Sequence, residues 1–288
     1  MKITSACIGC VLDIAFRTVG QVAKDRWAEY VVPIVEVIRK SFHPELTPGM
    51  LATAIQMELH RLLDNPDPYR KIKEASNNLA EVILEDITRS ATNMDLGQVS
   101  LLTAAGNAID FALETKVDEA IAKVKQSIDQ GFYQPDDEQF DRILQGAREV
   151  LFLLDNAGEI VFDRYLATWI KEHYGTKISA VVNATPVLND ATPYDLETTG
   201  FAQILDDVVL LDPGAIGFPT DPLPEALAKK FRAVDAIICK GMGNFESLDE
   251  CELEPPAIYI LKAKCQPIAS LLGTPVGANI LTVRYQKK

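Results

Sequence analysis

Two oxygen-bearing side chains stand in tandem directly after the apolar run Val150-Leu151-Phe152-Leu153-Leu154: Asp155 and Asn156, followed by Ala157-Gly158-Glu159. A carboxylate and an amide oxygen at the end of a buried strand suit a hard cation such as Mg²⁺ or Mn²⁺. One such residue would suffice as a helix N-cap; two, followed by a glycine that lets backbone N–H groups approach an anion at a helix start, suggest a ligand site. Asp190, after Pro186-Val187-Leu188-Asn189, reads alone as an Asx turn and beside Asp155 and Asn156 as a third oxygen ligand. Further along come Lys240-Gly241-Met242-Gly243-Asn244-Phe245-Glu246 and Lys264-Cys265. The first is G-x-G-x-x-E, not a dinucleotide fingerprint, and no clear helix start follows it. It reads as a flexible loop holding a small ligand, with Glu246 equally an acid/base group or a surface carboxylate. Lys264 reads as a surface charge or as a cation that offsets a substrate phosphate. Asn107 and Asp110, three apart on an apolar stretch, share a face; they either bond a neighbouring helix or meet the ligand.

The elements that must position these residues fall into two parts. Residues 1–146 carry helical spacing throughout. Thr47-Pro48 and Asp67-Pro68 read as N-cap-then-Pro starts, and apolar periods run over Leu101–Leu113 and Val117–Ile128. Residues 147–288 alternate short apolar runs with helical stretches. Strands are predicted at Val150–Leu154, Ile178–Val182, Val208–Leu211, Ala236–Cys239, Ala257–Leu261 and Asn279–Tyr285. Helices are predicted near Glu159–His173, Pro224–Phe231 and Pro267–Leu272. This grammar predicts an α/β fold: an N-terminal all-α domain packed on a Rossmann-like, doubly wound, mostly parallel sheet in three αβα layers. In such a sheet ligands bind beyond the carboxyl ends of the strands, where Asp155, Asp190, Lys240 and Lys264 all fall.

Composition narrows the function. The 288 residues are 48% hydrophobic and 24% charged, with a formal net charge of −13, which disfavours a nucleic-acid partner. The uninterrupted apolar runs are far shorter than the roughly 20 residues of a bilayer span, and the N-terminus makes a poor signal peptide, so no membrane partner is expected. Five cysteines, an odd number, point to a reducing cytoplasm and not to a disulfide framework. Cys7-x-x-Cys10 is a lone pair that reads as a zinc or redox motif, or as structural or near-site thiols. His43, His60 and His173 are scattered, and there is no H-E-x-x-H, Walker A or G-x-S-x-G motif.

Taken in order, Leu154-Asp155-Asn156-Ala157-Gly158-Glu159, Leu188-Asn189-Asp190-Ala191-Thr192, Lys240 to Glu246 and Lys264-Cys265, with Gly106-Asn107-x-x-Asp110 upstream and Cys7-x-x-Cys10 at the start, resemble the metal-dependent damage-control phosphatases. The C-x-x-C and the chain length resemble the stand-alone prokaryotic-type subgroup. The resemblance implies one divalent cation (Mn²⁺, Mg²⁺, Co²⁺ or Ni²⁺) on Asp155, Asn156 and Asp190, and hydrolysis of small phosphorylated metabolites. Substrate contacts are expected from Asn107, Asp110, Gly158, Glu159, Lys240, Gly241, Asn244 and Glu246. Backbone N–H groups at Gly158 and the Lys264 ammonium are expected to stabilise the transferring phosphoryl group, with water or Asp155 as nucleophile. An S-adenosylmethionine-dependent carboxyl methyltransferase and a non-catalytic phosphometabolite-binding protein are the alternatives.

Overall fold

The computed structural model describes residues 1–89, 91, 93–107, 116–252 and 254–285. Helices come first: α1 (Ser5–Val22), a 3-10 segment (Lys24–Tyr30), α2 (Val31–Ser41), α3 (Pro48–Leu63), α4 (Arg70–Thr88), α5 (Leu96–Gly106), α6 (Val117–Gln130) and α7 (Asp137–Gly146). The alternating part follows: β1 (Glu149–Leu153), α8 (Glu159–Tyr174), β2 (Lys177–Asn183), α9 (Pro193–Thr198), β3 (Asp207–Leu211), α10 (Glu225–Ala233), β4 (Ala236–Lys240), α11 (Gly241–Leu248), β5 (Ala257–Lys262), α12 (Gln266–Leu272) and β6 (Asn279–Arg284).

Local chemistry explains several boundaries. Thr47 caps α3, its hydroxyl accepting from Met50 N (3.3 Å), with Pro48 at the first helical position. Asp95 and Gln98 form a reciprocal capping box at α5. Asp67-Pro68 does not start α4. It forms the preceding turn, closed by Arg70 N to Asp67 O (3.3 Å), and the helix begins at Arg70. The stretch after Lys240 is not a loop: α11 begins at once, its Gly241 taking a left-handed φ of +74°. Helix α5 begins before Leu101, at Leu96, and much of the expected stretch to Leu113 lies outside the described residues.

The six strands lie in the order β3-β2-β1-β4-β5-β6, parallel except for β6, which runs antiparallel to β5. The chain moves outward from β1 to β2 and β3 on one side, then crosses to β4, β5 and β6 on the other. The switch point, where a doubly wound sheet opens a crevice, therefore lies between β1 and β4. Strand side chains alternate between two cores. Val150 and Phe152 meet α5 (Leu96, Val99, Ala104) and α7 (Phe140, Leu144) on one face, and Leu151 and Leu153 meet the α10–α12 side (Phe231, Phe245, Ile268) on the other. The helices that precede the sheet thus share its core.

Helix α1 has the length and hydropathy of a membrane span, though no uninterrupted run does. It carries the Asp13–Arg17 ion pair (2.6 Å) and buries Val11, Ala15 and Val19 in a cluster with α3. Helix α5 packs tightly on α8 near the strand ends. A Cβ at Gly106 would lie 2.5 Å from the Phe162 ring. Replacing Gly106 with alanine forces the two helices apart. Overpacking of this kind costs about 1–3 kcal/mol, and urea unfolding of Gly106→Ala is expected to show a loss in that range.

Candidate active site

Asp155 follows β1, Asp190 follows β2, and their loops are zipped together. Ala157 N donates to Asn189 O and Ala191 N to Asp155 O, both at 2.8 Å, and Asn156 pairs with Asp190 in an isolated antiparallel bridge. The Asn156 amide donates to Asp155 Oδ2 and Glu159 Oε1, each at 2.9 Å. Asn107, at the end of α5, donates to the same Glu159 oxygen (2.5 Å). On the other side of the switch point, Gly241 presses on the carboxylate: a Cβ there would sit 1.8 Å from Asp155 Oδ2. The sequence therefore needs glycine at the start of α11 for space as well as for its positive φ. A crevice of about 10 Å³, lined by Asp155, Asn183, Asp190 and Asn244, lies among these groups.

The crevice gathers like charge out of water. Burial pushes the Asp155 carboxyl well above the carboxylate range, and the Glu159 and Asp190 charges raise it further. Asp190 is raised chiefly by burial, with Lys73 opposing and Glu159 adding to the shift. Lys264 is exposed, and its charge pulls Asp155 back down.

Other expected contacts have different duties. Lys240 is fully buried and ion-paired to the equally buried Asp163 at 3.2 Å, so it offers no free ammonium to a substrate. Burial pushes Asp163 up to about 7 even beside that lysine. Asn244 donates to the carbonyls of Leu154 (2.8 Å) and Lys240 (2.9 Å), clamping the ends of β1 and β4. Glu246 faces α3, accepting from Gly49 N (3.2 Å). Gly158 opens α8 with φ +84°, but its N–H is spent on Asn77 Oδ1 at 2.6 Å, so it is not a vacant anion donor. Asp110 lies outside the described residues.

Several residues were not singled out in the sequence. Asn77 and Lys73, four apart on α4, reach the site from the helical part. Asn77 joins Gly158 N to Asp195 Oδ1 (3.1 Å), and Lys73 ion-pairs with Asp67 (3.0 Å) and Asp195 (3.7 Å). Asp195 in turn accepts from Thr192 N and Oγ1 at 3.0 and 2.6 Å. Asn183 donates to Asp190 Oδ2 (3.1 Å) and joins it to the 215 loop through Ala215 N and O. The one available sequence signal was a polar i, i+4 pair on the face of α4 that also buries Ser76 and Ala80.

The donor chemistry fits a hard cation. Asp155, Asn156 and Asp190 all offer oxygen, and Glu159 Oε2 is buried beside them with no hydrogen-bond partner. Among the described residues no group of three His, Cys, Asp or Glu side chains is arranged to hold a metal; this trio has two carboxylates, and its third donor is an amide.

Comparison with known proteins bears on the fold and the family. An uncharacterized protein of Methanocaldococcus jannaschii is 34% identical over 99% of this chain and 96% of its own length. A damage-control phosphatase of Archaeoglobus fulgidus is 29% identical, covering 98% of this chain and 99% of its own. The crystal structure of a DUF89 family protein from Pyrococcus horikoshii superposes with a TM-score of 0.90 at 26% identity, covering all of both chains. The damage-control phosphatase ARMT1-like domain model matches residues 3–280, and the chain belongs to that family.

Proposed function

We propose that this protein is a divalent-metal-dependent phosphatase acting on small phosphorylated metabolites. The observation that carries the reading is the meeting of Asp155 and Asp190 at one crevice beside the sheet's switch point, with Asn156 bridged to Asp190 and hydrogen-bonded to Asp155. The relatives named as damage-control phosphatases support the reaction class.

Asp155, Asn156 and Asp190 would hold the cation, which supplies Lewis acidity and neutralises phosphate charge. The chain's own groups do the rest. Gly241 and Asn244 fix where the Asp155 carboxylate can stand. Glu159 is held by Asn107 and Asn156 through Oε1, leaving Oε2 to accept a proton from an attacking water. Lys264 offsets the charge on the phosphoryl oxygens from the exposed side. Gly158 and Asn77 lock the start of α8, so the loop carrying Asp155 and Asn156 does not drift from the loop carrying Asp190. The stretch from Gly241 to Asn244 is helical, which leaves a dinucleotide reading without its loop.

Phosphate release from p-nitrophenyl phosphate with added Mn²⁺, Mg²⁺ or Co²⁺ tests the reading. Asp155→Asn and Asp190→Asn, checked for native circular dichroism, should each lose at least about 10²-fold in rate, the scale of removing one electrostatic group from such a site. Equal hydrolysis by the wild type and both variants would refute it.

Metal removal and pH give a second test. In the fold, Asp155 and Asp190 keep protons at pH values where the unfolded chain has released them. The native state then binds more protons than the unfolded state above about pH 4, so the metal-free protein loses stability as pH rises. A cation must displace those protons. Stabilisation by Mn²⁺ at about 100 times its Kd should therefore raise the unfolding midpoint by roughly 5 °C at mildly alkaline pH, by less at acidic pH, and not at all in Asp190→Asn. Differential scanning fluorimetry reads this directly.

A further inference from the structure

Three of the five cysteines, Cys7, Cys10 and Cys265, line one cavity of about 320 Å³ that the proposed reaction does not use. It lies between α1, α3, α11 and the start of α12, and its walls are otherwise largely apolar (Val11, Ile14, Ile216, Met242). Its sole carboxyl, Glu246, is occupied by Gly49 N (3.2 Å). A backbone septum divides it from the Asp155 crevice: Ile216 and Gly243 line the cavity, Gly217 and Asn244 line the crevice, and a Cβ at Gly217 would lie 2.4 Å from Gly243 O. The cavity is a separate feature, and sulfur is its distinguishing chemistry.

The three thiols are not equivalent. Cys10 is exposed, Cys265 half-buried, and Cys7 buried with Sγ 3.2 Å from Thr4 Oγ1. Cys7 and Cys10 sit one turn apart within regular helix α1. That spacing sets Cβ atoms about 5–6 Å apart, whereas a disulfide needs about 3.5–4.5 Å, so joining them requires the first turn of the helix to distort. Cys265 is free of that limit. It is the extended N-cap residue of α12 and approaches the cavity from another element. Partial burial raises the Cys10 and Cys265 thiols, and the other cavity cysteines add to it, Cys265 and Cys7 acting on Cys10 and Cys7 on Cys265.

We propose that Cys10 and Cys265 form a thiol–disulfide exchange site, in which a low-molecular-weight disulfide staples α1 to the turn between β5 and α12. In the first step the Cys10 thiolate attacks the small disulfide, forming a mixed disulfide and releasing one small thiol. In the second, the Cys265 thiolate attacks the Cys10 sulfur and releases the other. Two protein thiols are oxidised, one small disulfide is reduced to two thiols, and the two protons pass to those products. The staple would lie across the cavity and end next to Lys264. Because both thiols are raised, exchange is slow at neutral pH and faster near the thiol range.

The test treats the intact chain with oxidised glutathione at about pH 8.5, then counts free thiols after denaturation and maps linked peptides by mass spectrometry. The expected result is loss of two of the five thiols, a Cys10–Cys265 linked peptide, and full reversal by dithiothreitol. Cys7→Ser should keep the two-thiol loss, while Cys10→Ser and Cys265→Ser should abolish it. Retention of all five thiols, a linked peptide joining Cys7 to Cys10 or two chains, or glutathione adducts without an internal bond would each overturn the proposal. No phosphatase activity is read, so this result stands apart from the functional reading above.

Discussion

The structure depends on gathering Asp155, Asp190 and Glu159 at one point, the last two buried and Asp155 partly so. Each raises the free energy of its neighbours, and an uncompensated buried charge costs several kcal/mol. The fold answers with a shell of amides and buried cations. Asn156 and Asn107 hold Glu159, Asn183 holds Asp190, and Lys73 and Lys240 set positive charge behind the cluster. The shell is drawn from both parts of the chain: Lys73, Asn77 and Asn107 come from the first helices, the others from the sheet and its connections. That is the physical reason the early helices must pack on the sheet. Without them, Gly158 N, Glu159 and Asp190 lose their partners or their countercharge.

The placement follows from topology. The chain runs outward from β1 to β3 and then crosses back to β4 beside β1, so the residues after β1 and β4 face each other at the switch point. Asp155 follows one and Gly241 the other, and they fit because Gly241 lacks a side chain. Asn244, one turn into α11, ties the two strand ends through their carbonyls. The site is a joint between crossovers, held by backbone as much as by side chains.

Much of this was legible in the sequence. The buried strands announce themselves as short apolar runs, and Asp155 and Asn156 are conspicuous because they follow such a run at once; Asp190 stands seven residues beyond β2 and gains meaning only beside them. The six strands and the helices after β1, β3 and β5 fall within a few residues of expectation. What was not legible depends on contacts far apart in the chain. Asn77 meets Gly158 across 81 positions, and Lys240 meets Asp163 only once α8 folds back over β4. Lys240 and Asn244 look like ligand-loop residues in one dimension and prove to be buried supports in three. The stretch from Lys240 to Glu246 reads as a flexible loop because no clear helix start follows it, and glycine disfavours helix interiors. Tertiary packing overrides that preference, since at Gly243 a Cβ would already crowd Ile216 at 3.1 Å. Asp67-Pro68 misplaced the start of α4 because a proline turn and a proline helix start look alike locally.

The most direct test of the central claim is anomalous diffraction from a crystal grown with Mn²⁺. The account requires one strong anomalous peak bounded by oxygens of Asp155, Asn156 and Asp190, at the roughly 2.0–2.2 Å expected for a small dication on oxygen, and its absence from an Asp155→Asn crystal. A peak elsewhere in the chain, or an empty crevice whose carboxylates stay protonated at saturating Mn²⁺, would contradict it.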